Sequence, residues 1–165
     1  MKKIFLLPIL FLFVFTSYSQ DWIRFSSTEG KFSVLLPVQP TSQTDSSTTY
    51  PKYTTSLFIS KGTSDIFVLG WVDYESSYNF DEQSELEANR DNFIKGISGT
   101  LVSTANTTFK GYKAIQFTAT SQGYFWSSIV FLVGKRPYQL VAGSNTGKAS
   151  GNETKFYTSF VITKD

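Results

Sequence analysis

Residues 129–133 (IVFLV) form an unbroken apolar run. In an extended chain, alternate side chains point to opposite sides, so this segment is apolar on both faces. Such a strand needs cover on both faces, which places it inside a layered structure. It lies just before the turn in the stretch 125–143, which reads as two strands joined by a tight turn at Gly134-Lys135-Arg136-Pro137. Residues 66–74 (IFVLGWVDY) carry the same two-sided pattern and predict a second interior strand.

Other segments alternate and have one wetter face. Phe32, Val34 and Leu36 share a face in 31–36, a strand that Pro37 and Pro40 stop because proline cannot donate to a ladder. Tyr53, Thr55, Leu57 and Ile59 do the same in 50–60. Residues 101–108 and 112–120 predict a strand pair turning at Lys110-Gly111, with Ile115, Phe117 and Ala119 on one face. Residues 21–25 (DWIRF) predict a short edge strand. The Ser/Thr-rich segment 41–49 predicts an exposed loop, and 145–151 another.

Two segments have helical spacing. In 81–97, Leu86, Phe93, Ile94 and Ile97 fall on one face, with Arg90 between them. Asn79 is the expected N-cap, with Glu82 three residues on as in a capping box. Asp81, Glu82 and Glu85 suit the positive end of the helix dipole. Ser150 and Glu153 make a second capping box ahead of Phe156, Tyr157, Phe160 and Val161, which predict a short C-terminal helix. Hairpins dominate the connections, and the two helices are the candidate covers. The predicted class is α+β, a layered sandwich on a mostly antiparallel central sheet.

The N-terminus stands apart. Met1-Lys2-Lys3 is basic, 4–15 is a run of twelve apolar residues, and Ser17 and Ser19 sit at the −3 and −1 cleavage offsets. This is the layout of a secretory signal peptide, and twelve residues fall short of the roughly 20 that a spanning helix needs. The expectation is a cleaved signal at 1–19 and a single domain at 20–165, periplasmic or secreted. Without Lys2 and Lys3 the 15 basic residues become 13, against 13 acidic. A neutral chain without a basic run gives no support to nucleic-acid binding.

The chain has no histidine and no cysteine. Histidine- and cysteine-based triads, thiol redox chemistry and the usual zinc and haem sites are therefore excluded. No glycine-rich phosphate loop is present, and no cofactor is expected. Asn106-Thr107-Thr108 and Asn152-Glu153-Thr154 match the glycosylation sequon. Acids cluster between Asp73 and Asp91. Asp73, Glu75 and Asp81 are candidates for a hard-cation site at the strand-to-helix junction, although the helix dipole already accounts for acids there. A carboxylate pair for glycoside hydrolysis ranks last, since nothing places two acids across a cleft. Lys135-Arg136 at the hairpin tip is the exposed basic pair to watch for partner binding. Trp71, Tyr74, Tyr124 and Trp126 lie on the doubly apolar strands, where they pack a core or, beside a groove, stack on a ligand.

The order of these pieces resembles the PsbP/Mog1-like family, in particular its small exported bacterial members. The resemblance is carried by GKFSVLLPVQP, IFVLGWVDY, ANRDNFIKGISGTLVS, KGYKAIQFTA, FLVGKRPYQLVAG and FYTSF, which span nearly the whole of 20–165. It implies an αβα sandwich on an antiparallel sheet and non-catalytic binding as the shared theme, with no common active-site motif. The expected function is an exported accessory or binding module that engages a protein partner. The alternative is a small-ligand or divalent-cation binder.

Overall fold

The computed structural model describes residues 21–163. The predicted signal peptide at 1–19 lies outside them. The element order is β1 (Ile23–Ser27), β2 (Phe32–Leu36), β3 (Thr41–Ser47), β4 (Tyr53–Lys61), β5 (Asp65–Tyr74), α1 (Glu82–Gly96), β6 (Thr100–Phe109), β7 (Tyr112–Ser121), β8 (Tyr124–Val133), β9 (Arg136–Ser144), α2 (Asn152–Ser159) and β10 (Val161–Ile162). Seven strands form one antiparallel sheet in the order β3-β4-β5-β9-β8-β7-β6, and β1-β2-β10 form a small second sheet. The α+β class and the mostly antiparallel sheet are as expected. The two doubly apolar segments, β5 and β8, both pair with β9 at the centre.

The two faces of the large sheet have unlike covers. On the inner face Phe67, Leu69 and Trp71 of β5, Phe131 of β8 and Leu140 of β9 meet Phe32, Val34 and Leu36 of β2 and Phe156, Tyr157 and Phe160 around α2. Aromatic rings dominate this layer. Phe32 alone contacts the rings of Phe25, Phe58, Trp71 and Phe160. On the outer face α1 lays Leu86, Phe93 and Ile94 on Ile115, Phe117, Val130 and Leu132 of β7 and β8. The predicted covers were the two helices, and the small sheet joins α2 on the inner side because β2 carries its own apolar face.

Several local expectations are corrected. Residues 41–47 are an edge strand, not a loop: the ladder to β4 carries them, and an edge strand exposed on both faces shows no apolar period. Asp81, not Asn79, caps α1, accepting from the Ser84 N–H at 2.9 Å. Asn79 instead accepts from Lys135 Nζ at 2.7 Å. The hairpin turn is Gly134-Lys135 alone, and Arg136 already lies in β9. Gly151 caps α2 without a side-chain bond, while Ser150 Oγ accepts from Asn152 N–H and reaches Glu153 at 3.3 Å. Val161 leaves the predicted helix to pair with Ser33.

Gly143 is among the glycines that packing requires. A Cβ at Gly143 would collide with the Trp126 ring and crowd Ile66, so its absence lets the indole lie flat across β9.

Phe32→Ala empties the centre of the inner aromatic layer. Urea unfolding should show a loss of about 3–5 kcal/mol, against a change within about 0.5 kcal/mol for the exposed Thr44→Ala.

Candidate functional site

α1 lies over β7 and β8 and leaves the outer face of β4, β5 and β9 open. Sheet parity fixes what is displayed there. Cross-strand partners share a face, so Leu57, Gly70 and Gln139 stand in one row, and Thr55 and Val72 in the next. Leu57, Val68 and Val72 are half-buried, with no element over them among the described residues. They floor a groove of about 420 Å³ whose wall is α1. On that wall Glu85, Ala88, Asn89 and Asn92 replace the large apolar side chains of the helix's other stripe.

A closed polar knot marks one end. Tyr74 Oη donates to Glu85 Oε1 at 2.7 Å, and Asn89 Nδ2 donates to the same oxygen at 2.7 Å. Glu85 is only 6% exposed, and these two donors satisfy its Oε1. Burial, with the Glu85 carboxylate beside it, pushes the Tyr74 hydroxyl above its ordinary range. The knot has structural rather than reactive geometry, since both donors are committed to one carboxylate oxygen.

A second cavity of about 420 Å³ lies at the C-terminal end of α1, lined by Ser98, Ser121, Gln122, Asn145, Tyr124 and Trp126 among others. Tyr124 stacks on Trp126 with centroids 5.2 Å apart, and Trp126 meets Phe93 edge-on at 5.9 Å. Trp126 Nε1 is buried without a hydrogen-bond partner among the described residues. Val68 lines the first cavity and Ile66 the second. They are successive outer-face residues of β5, so both cavities lie along one strip beside α1.

The structure separates the residues singled out in the sequence. Tyr74, Tyr124 and Trp126 border the strip. Trp71 touches the groove's floor, but its parity turns the ring to the inner face, where it is 2% exposed and stacks on Phe58. It is a core residue, unable to stack on a ligand. Arg136 is not a free tip either. It forks onto Asp73 at 2.6 and 3.0 Å, donates to the Glu29 carbonyl at 2.9 Å, and lies 5.6 Å over the Trp71 ring. Lys135 remains exposed and tethers the loop before α1 through Asn79.

The three carboxylates considered for a cation are not brought together. Asp73 takes Arg136 and the Trp71 indole N–H at 2.8 Å. Glu75 accepts from the Lys52 N–H at 3.1 Å. Asp81 caps α1, and the Ser84 backbone N–H, then its hydroxyl, hold its carboxyl below the ordinary range. Among the described residues, no group of three or more acids is placed to hold a metal ion. What the sequence reading missed is the groove. Its signal was present on α1 as a stripe of small and amide side chains at Glu85, Ala88, Asn89 and Asn92, spaced i, i+3, i+4 and i+7.

No protein-family model and no curated protein matches the chain. Among solved structures it is similar to cyanobacterial PsbP (CyanoP) from Synechocystis sp. PCC 6803, with a TM-score of 0.58 over 87% of this chain and 93% of that one, at 7% sequence identity. The likeness shows a PsbP-like fold, and at that identity it shows the fold alone.

Two outcomes follow from the site. The folded chain holds the Tyr74 proton more tightly than the unfolded chain, whose tyrosines titrate near ~10. That contribution is fully present below about pH 10 and is lost as pH rises above it. The urea midpoint of Tyr74→Phe should therefore fall less steeply than that of the wild type between about pH 9.5 and 11.5. Asp73→Ala strands the Arg136 guanidinium and the Trp71 N–H, and should cost about 1–3 kcal/mol. Calcium or magnesium should leave the melting temperatures of wild type and variant equally unmoved; a cation-dependent rise in the wild type alone would assign Asp73 to a metal.

Proposed function

We propose that this chain is an exported, non-catalytic accessory module that engages a protein partner along the open strip beside α1. The observation that carries the proposal is the half-covered outer face. Leu57, Val68 and Val72 form an apolar floor with no covering element among the described residues, and helix amides line its rim. Interfaces are built in this way, with an apolar centre and a polar border that supplies hydrogen bonds. The PsbP-like resemblance implies the same accessory role, and the sequence lacks the histidine and cysteine of the common triads and zinc sites. Export rests on the signal-like layout of 1–19, with cleavage proposed after Ser19.

A small ligand is the second reading. A volume of about 420 Å³ suits one, and the Tyr124–Trp126 stack offers an aromatic platform further along the strip.

A photoreactive residue at Ala88 should capture one discrete protein from the exported fraction, and Val72→Glu should abolish the adduct without lowering the melting temperature. Adducts no different from those at a Lys148 control, or indifferent to Val72→Glu, would refute the partner reading. In that event a ligand panel decides the second reading, because a true ligand at a hundredfold excess over its Kd adds about 2.7 kcal/mol of apparent stability. The mass of the mature chain checks export: it should begin at Gln20.

A further inference from the structure

The edges of the sheets are not equally defended. An edge strand presents a row of unpaired N–H and C=O groups, which proteins blunt with charge, proline, brevity or cover. β3 carries Asp45, whose carboxylate takes the Ser46 N–H at 2.8 Å, and Pro40 precedes it. In the small sheet β1 has five residues and bears Arg24, and β10 has two. Among the described residues β6 has none of these, and its one irregularity lies at its start, between Leu101 and Ser103. It is ten residues long, ends the large sheet, and contains no Lys, Arg, Asp, Glu or Pro between Thr100 and Phe109. Its side chains are exposed on both faces from Thr100 to Thr108. The bonds α1 makes to it run between side chains, Gln83 to Asn106 at 3.1 Å and Arg90 to Thr104 at 3.4 Å. Neither occupies its outward backbone.

We infer that the β6 edge pairs antiparallel with the β6 edge of a second copy, extending the sheet across a two-fold axis. The absence of charge argues for a second copy. In a two-fold pairing each residue meets itself or a near neighbour, so a charged strand would repel its own image. β6 is uncharged throughout.

The register follows from the ladder. Outward-facing backbone groups recur every second residue, so only residues of like parity can oppose one another. The irregularity between Leu101 and Ser103 leaves 103–109 as the regular stretch, with Asn106 at its middle. Pairing about Asn106 sets Asn106 opposite its counterpart and Thr104 opposite Thr108 on the α1 side. Ala105 meets Thr107 on the other side. Threonine and neutral pairs are favourable cross-strand neighbours. A single-strand interface falls below the ~1,200 Å² of stable complexes, so the dimer is weak and concentration-dependent. β6 lies at the far end of the sheet from β4 and β5, so this pairing is independent of the groove.

The chain has no cysteine, so one introduced thiol is a unique probe. Sedimentation should show a dimer fraction that rises with concentration. Ala105→Lys should return the protein to monomer with an unchanged far-ultraviolet spectrum. Asn106→Cys should be joined into dimers by a short bis-maleimide about tenfold faster than Thr44→Cys on the opposite edge, because pairing raises the local thiol concentration. A wild type that stays monomeric up to about 1 mM overturns the inference and leaves the edge to the strand of another protein. A dimer indifferent to Ala105→Lys, or cross-linked faster through Thr44→Cys, overturns it as well.

Discussion

Two central strands that are apolar on both faces need cover on both faces, and this constraint organises the molecule. The chain builds two unlike layers around them, one complete and one that covers β8 but leaves the outer row of β5 half-buried. The inner layer is complete: β2, α2 and Phe160 seal it with aromatic rings. Among the described residues, the outer layer is one helix for a seven-stranded sheet. α1 covers β7 and β8 and leaves the outer rows of β4, β5 and β9 half-dressed. The open strip follows from the numbers of helices and strands, with no special loop needed to create it.

Polar contacts pin the layers at their margins. Arg136 joins the start of β9 to Asp73 at the end of β5 and to the carbonyl of Glu29 in the turn before β2. Tyr138 Oη donates to the Gly30 carbonyl at 3.0 Å, and the Leu35 N–H donates to Ser159 Oγ at 2.9 Å. Buried hydroxyls find partners in the same way: Tyr157 Oη donates to the Ser127 carbonyl at 2.7 Å, and burial keeps that phenol well above its ordinary range. These bonds fix how the small sheet and α2 sit on the large sheet, and desolvation makes them costly to leave unmade.

Much of the fold was legible because burial leaves a period in the sequence. Phe32, Val34 and Leu36, the two-sided runs of β5 and β8, and the Leu86–Phe93–Ile94 stripe all announced their faces. β3 is exposed on both sides and carries no large apolar residue, which is why it read as a loop. The site was less legible, for a physical reason. Whether an aromatic on a doubly apolar strand reaches solvent depends on which half of the sheet α1 covers, and that is a tertiary fact. Trp71 and Tyr74 are three residues apart and meet opposite fates. Asp73 and Arg136 are neighbours only because β5 pairs with β9 across 63 residues of sequence, so neither the acidic cluster nor the basic tip could be seen as one half of a pair.

The asymmetry of the outer face is the central claim, and methyl groups report it directly. A soluble paramagnetic agent should broaden the methyl resonances of Leu57, Val68 and Val72 in the purified protein. It should spare those of Leu86 of α1 and of Val130 and Leu132 beneath it. Equal protection of both sets would mean that the strip is covered, and would contradict the account.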